Sequence, residues 1–103
     1  MSDPVILITG AGRGIGAAVA RRLARPGTSL VLNYARDVDA ASALAQELGK
    51  AGARTRIVRA DVADEAQVLA MFESIDRAEG RLTALVNNAG IVAPRSTVAT
   101  MSA

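Results

Sequence analysis

Four glycines fall within seven residues in the stretch Thr9-Gly10-Ala11-Gly12-Arg13-Gly14-Ile15-Gly16, directly after the apolar run Val5-Ile6-Leu7-Ile8. A turn of this composition between a strand and a helix lets backbone N–H groups approach a phosphate with no Cβ in the way. Gly10 admits a tight turn with unusual dihedrals, Gly14 leaves room for a pyrophosphate, and Gly16 lets the following helix pack close to the sheet. The helix N-terminus adds unpaired N–H donors and about half a positive charge, so an anion is favoured there. The spacing is informative. Counted from Gly10, the form G-x-G-x-x-G needs glycine at position 15, which is Ile15, whereas G-x-x-x-G-x-G is met by Gly10, Gly14 and Gly16. A phosphate-binding P-loop needs a lysine directly after its last glycine, and Ala17 stands there. The competing reading is an ordinary strand-to-helix turn, for which four glycines are more than the geometry needs.

Two further groups lie where ligands bind in open α/β sheets, at the carboxyl ends of strands. Asn87-Asn88-Ala89-Gly90 follows the apolar stretch Ala84-Leu85-Val86, and Asp61-Val62 follows the stretch Thr55 to Ala60. Each has a plainer alternative: a polar turn ending in glycine for the first, and a turn residue ahead of a helix for Asp61.

The elements that must position these groups alternate in type. Val5 to Thr9 is a continuous apolar run that fits a strand buried on both faces of a parallel sheet. From Gly16 to Ala24, Ile15, Val19 and Leu23 recur every four residues as an apolar helical stripe ending at Pro26-Gly27. Leu30 to Tyr34 is a second strand. A helix from about Val38 to Ala51 carries Leu44 and Leu48 on one face and ends at Gly49 and Gly52. Thr55 to Ala60 is a third strand. Asp64 is placed to cap a third helix, with Gln67 completing a capping-box-like pair and Val68, Met71, Phe72 and Ile75 as its buried stripe, before Gly80 ends it. Leu82 to Asn87 is a fourth strand, and Gly90 to Ala103 shows no firm period. Such alternation predicts a three-layer α/β fold with a parallel sheet of order 3-2-1-4, the first two helices on one face and the third on the other.

Composition narrows the chemistry. At 103 residues, half of them hydrophobic, the chain can build one core. There is no cysteine and no histidine, which removes disulfides, thiolate nucleophiles, the common zinc sites and the Ser/His/Asp triad. The net charge is +2, from 12 basic and 10 acidic residues. The arginines are divided among elements and only Tyr34 and Phe72 are aromatic, so no nucleic-acid surface is expected. The run Val5 to Ile8 is too short for a signal peptide or a membrane span, which makes the cytoplasm the default compartment and a membrane partner unexpected.

Taken together, Thr-Gly-x-x-x-Gly-Ile-Gly, Asp-Val and Asn-Asn-Ala-Gly resemble the short-chain dehydrogenase/reductases, and within them the members similar to 3-oxoacyl-carrier-protein reductase, in the same order and over nearly the whole chain. The resemblance implies a Rossmann-type domain over residues 1–103, present in part and with an irregular tail from about 91. It implies the cofactor-binding half of an oxidoreductase moving hydride between a nicotinamide dinucleotide and a carbonyl or alcohol substrate. By position, Gly10, Arg13, Gly14, Ile15 and Gly16 would line the pyrophosphate and adenosine phosphate; Asp61 would hydrogen-bond the adenine and Val62 pack on it. Asn88, Ala89 and Gly90 would lie along the nicotinamide-side ribose, with Asn87 tying the central strands together.

The same resemblance bears on the cofactor. Tyr34 stands where NAD-preferring relatives have an aspartate that would bond the ribose hydroxyls and repel a 2′-phosphate. Arg13 and Arg36 lie near the expected 2′-phosphate, which arginine suits through bidentate charge-assisted bonds. NADP is therefore expected over NAD, although Asp37 or Asp39 would reach the ribose in a differently shaped loop, and Arg36 also reads as a plain surface residue.

The family's tyrosine acid/base, with its lysine four residues on, and the accompanying serine and asparagine cannot be assigned. Tyr34 is the sole tyrosine, position 38 is valine and Lys50 is the sole lysine. The chain is thus expected to be catalytically inactive alone and to self-associate through an exposed fourth strand. Other readings are a non-catalytic dinucleotide-binding module and an inactive truncated remnant.

Overall fold

The computed structural model describes residues 3–12 and 14–88. Four strands and three helices alternate along the chain: β1 (Val5–Thr9), α1 (Gly14–Leu23), β2 (Ser29–Tyr34), α2 (Val38–Lys50), β3 (Arg54–Arg59), α3 (Glu65–Ala78) and β4 (Ala84–Asn87). All strand pairs are parallel, in the order β3-β2-β1-β4. Leu7 of β1 lies opposite Val31 of β2 and Leu85 of β4, which fixes the register of the central strands.

Side-chain alternation along the strands divides the interior into two cores. Ile6, Ile8, Leu30 and Leu32 face Ala17 and Ala20 of α1 and Leu44 and Leu48 of α2. Val5, Leu7 and Val31 face Met71 and Ile75 of α3. Two helices therefore cover one face and one covers the other, as the right-handed crossovers require. Leu7, Ile8, Leu30, Leu32, Leu48 and Ile75 are essentially inaccessible to solvent, each burial contributing about 1.5–3 kcal/mol.

The first helix departs from the expected stripe. Its buried residues are Gly16, Ala17 and Ala20, with Leu23 partly buried, and Ile15 is 74% exposed. The contact selects small residues because α1 lies so close to the sheet and the preceding turn that only they fit. The other two helices follow their patterns. Asp37 caps α2 by accepting from the Ala40 N–H at 2.9 Å, and Asp64 caps α3 by accepting from the N–H groups of Ala66 and Gln67. Gln67 reaches further back than a capping box would, accepting from the Asp61 N–H at 2.8 Å while donating to Asp64 Oδ2 at 3.1 Å.

The fourth strand begins two residues later than its apolar run suggests. The Val5 N–H donates to Thr83 Oγ1 at 2.9 Å and the Thr83 N–H to the Val5 carbonyl at 2.8 Å, pinning the chain just before it joins the sheet. Leu82 instead packs against the α3-side core. At this amino-terminal end of the sheet Arg56 forms a bidentate ion pair with Glu79, both contacts at 2.8 Å. The hydrogen bond and charge of Glu79 hold the Arg56 guanidinium above its ordinary range, against the opposing effect of its partial burial.

Candidate functional site

At the carboxyl end of β1 the backbone turns through two glycines in the left-handed region, Gly10 with φ 61° and Gly14 with φ 64°. Side chains with a Cβ rarely adopt this conformation, so the local dihedrals demand glycine at both positions. Among the described residues, space over Gly14 is open: apart from its own neighbours and helix backbone, no heavy atom lies within 4 Å of where its Cβ would stand. Gly14 also begins α1, whose first turn carries no acidic residue, so its amide donors and partial positive charge face that opening uncompensated.

Gly16 serves a different purpose. A Cβ there would come within 2.5 Å of the Gly10 carbonyl oxygen and 2.6 Å of Asn88 Nδ2. The residue therefore lies beneath the turn and permits a three-way approach of α1, the Gly10 turn and the end of β4.

The end of β4 is bonded to that turn. Asn88 Nδ2 donates to the Gly10 carbonyl at 3.1 Å and the Asn88 N–H donates to Thr9 Oγ1 at 2.9 Å. Thr9 Oγ1 lies 3.2 Å from Asn87 Oδ1, a link from β1 to β4 that agrees with a strand-tying role for Asn87. At the end of β3, Asp61 is exposed; its Oδ1 accepts from the Ala63 N–H at 2.9 Å, and its carbonyl accepts from the Asp64 N–H.

These ends enclose one cleft of about 450 Å³, lined by Gly10, Gly14, Ile15, Asn33, Ala35, Ala60, Asp61, Val62 and Asn88. Gly10 and Ala35 also border an adjoining recess of about 220 Å³ with Gly12, Tyr34, Arg36, Asp37 and Ala40. The structure thus brings Gly10, Gly14, Ile15, Asp61, Val62 and Asn88 together, sets Arg36 beside them, and puts Gly16 underneath. Arg13, Ala89 and Gly90 lie outside the described residues. A further cleft of about 570 Å³, at the opposite edge of the sheet, is lined by Asp3, Arg54, Arg56, Glu79 and Arg81 among others and contains none of the expected site residues.

Sequence reasoning missed Asn33. Its side chain is 2% exposed, with Oδ1 accepting from the Gly10 N–H at 3.2 Å and Nδ2 donating to the Ala60 carbonyl at 3.1 Å. The available signal was a lone carboxamide in the otherwise apolar run Leu30 to Tyr34, because a buried polar group must find partners. Among the described residues no group of acidic side chains could hold a metal ion, and no helix is long and apolar enough to cross a membrane.

Comparison with known proteins places this architecture. Residues 4–103 match the family model described as short chain dehydrogenase. The chain is 41% identical over 99 residues to the uncharacterized oxidoreductase YgfF of Escherichia coli, covering 96% of this chain and 40% of that protein. It is 41% identical over 85 residues to the 3-oxoacyl-[acyl-carrier-protein] reductase FabG of Staphylococcus aureus, covering 82% and 35% respectively. A crystal structure of a dehydrogenase/reductase from Sinorhizobium meliloti superposes with a TM-score of 0.81 at 37% identity, over 88% of this chain and 36% of the other. The chain therefore spans about two-fifths or less of the length of these relatives. The glycine turn, the 3-2-1-4 parallel sheet and these matches together show that the chain belongs to the short-chain dehydrogenase family.

Proposed function

We propose that the carboxyl edge of this sheet binds a nicotinamide dinucleotide, and that the protein of which this edge is the cofactor site transfers hydride between that cofactor and a carbonyl or alcohol substrate. The observation that carries the reading is the convergence of two left-handed glycines, the open α1 N-terminus, Asp61 and Asn88 on one cleft. The pyrophosphate sits over Gly10 and Gly14, with Arg13 and Ile15 flanking it, and Gly16 permits the close packing underneath. The adenine lies against Asp61 and Val62. The nicotinamide-side ribose runs along Asn88, Ala89 and Gly90. When bound, the nicotinamide supplies the hydride chemistry.

NADP is the preferred cofactor. Arg36 borders the recess beside the adenine end and has no ion pair among the described residues. Asp37, the carboxylate that would compete for the ribose, already accepts from the Ala40 N–H as the cap of α2. The identity to FabG supports a carbonyl substrate class. In β4, hydrogen-bonded to β1 alone among the described strands, the exposed edge supports self-association.

Calorimetric titration of the chain with NADPH and, separately, NADH tests the reading. NADPH should bind on the micromolar scale, tighter than NADH, about the usual range for a dinucleotide. Gly14→Val, which forces a β-branched side chain into a left-handed position and fills the open space, should abolish it. A chain that unfolds cooperatively yet binds neither nucleotide refutes the proposal.

A further inference from the structure

Of the buried polar residues described, Asn33 is the most enclosed, and its carboxamide touches two other strand ends. Oδ1 takes the Gly10 N–H at 3.2 Å; Nδ2 donates to the Ala60 carbonyl at 3.1 Å and approaches the Val58 carbonyl at 3.4 Å. The Asn33 backbone carbonyl takes the Ala11 N–H at 3.0 Å. Gly10 opens the glycine turn, and Ala60 directly precedes Asp61 on the far side of the cleft. The demand is for one acceptor and one donor on a single short planar group. An aliphatic residue supplies neither, and an ionised carboxylate supplies only acceptors.

We infer that Asn33 is a positioning residue for the dinucleotide. It fixes the separation between the turn that receives the pyrophosphate and the loop that receives the adenine, so that one extended ligand meets both at once. The inference rests on the cofactor reading of the cleft. It makes a distinction that a purely structural role does not. A ligand spanning both sides should suffer when the spacing is released, whereas a ligand confined to the adenine side should suffer little.

The test compares NADP⁺ with adenosine 2′-monophosphate, which carries no 5′-phosphate for the glycine turn and lacks the nicotinamide half, on the wild-type chain and on Asn33→Leu. The expected result is a loss of about tenfold or more for NADP⁺, the equivalent of one or two hydrogen bonds, with a loss for adenosine 2′-monophosphate at least about threefold smaller, on the order set by the same arithmetic. Arg56→Ala, which breaks the ion pair with Glu79 at the amino end of the sheet, in a cleft that shares no residue with the site, controls for lost stability and should leave both affinities unchanged. If Asn33→Leu shows no cooperative unfolding, Asn33→Thr replaces it, a good strand former whose hydroxyl cannot span both partners, with the same selective loss expected. An unchanged NADP⁺ affinity, or equal losses for the two ligands, overturns the inference and leaves the cofactor reading standing. Failure of the wild-type chain itself to bind NADP⁺ overturns both.

Discussion

The two ends of the same four-stranded sheet each carry a cleft, and the two are made from different materials. At the carboxyl ends of the strands the lining is glycine, small and apolar residues such as Ile15, Ala60 and Val62, and the carboxamides of Asn33 and Asn88, with Asp61, Arg36 and Asp37 as its charged members. At the amino ends it is Arg54, Arg56, Arg81, Glu79 and Asp3. The amino end has more charge, yet its central arginine is already held by Glu79 through two contacts of 2.8 Å. At the carboxyl end, α1 starts with no acidic residue in its first turn. The proposed anion site therefore does not coincide with the greatest formal charge; a helix start that no side chain neutralises is the better guide.

The largest effect should come from breaking the carboxyl end. Gly16→Ala places a Cβ 2.5 Å from the Gly10 carbonyl and 2.6 Å from Asn88 Nδ2. The helix gains about 1 kcal/mol of propensity from the exchange, but forcing the turn off α1 should outweigh it. A net loss of about 2 kcal/mol is expected, or about 10 °C in melting temperature, together with loss of NADPH binding. An unchanged melting temperature would mean that the turn is not seated on the helix as described.

The amino end offers the converse. Arg56→Ala leaves Glu79, whose side chain is 13% exposed, without its partner. The expected cost is about 1–2 kcal/mol, between an exposed pair and a fully buried one, with NADPH affinity unaltered. A fall in affinity matching the fall in stability would erase the functional difference between the two ends. The smallest effect has the opposite sign: Gly49 of α2 has open space around its Cβ position, and Gly49→Ala should raise stability by about 0.5–1 kcal/mol in thermal unfolding. A loss there would show that the two helical glycines do not differ as described.

The parts of this molecule that sequence revealed are those governed by local rules. The tight turn at Gly10, the cap at Asp64, and the apolar run that opens the strand Val5–Thr9 each follow from a few neighbouring residues. Strand order followed as well, since alternation and crossover handedness leave few arrangements. What escaped depends on distances between segments. Counting large apolar residues put Ile15 on the buried stripe of α1, because nothing local announces that the turn and Asn88 come so near as to admit only Gly16, Ala17 and Ala20. The partners of Asn33 belong to β1 and β3, 23 and 27 residues away in the chain. The sequence offers Asp37 only as a carboxylate that could reach a ribose, and the position of the Ala40 N–H shows that it caps α2.

The loop that begins with Asp61 deserves to be seen together with the helix after it. The Asp61 N–H is taken by Gln67, the Ala63 N–H by Asp61 Oδ1, the Asp64 N–H by the Asp61 carbonyl, and the N–H groups of Ala66 and Gln67 by Asp64. Every one of these bonds closes within seven residues, and α3 is anchored in turn by Met71 and Ile75. Opening the loop therefore also undoes the cap of α3, so the loop and the first turn of the helix are expected to exchange their amide hydrogens together. One wall of the cleft is thus built on the start of a helix whose later turns reach the core, although the wall itself stands at the surface.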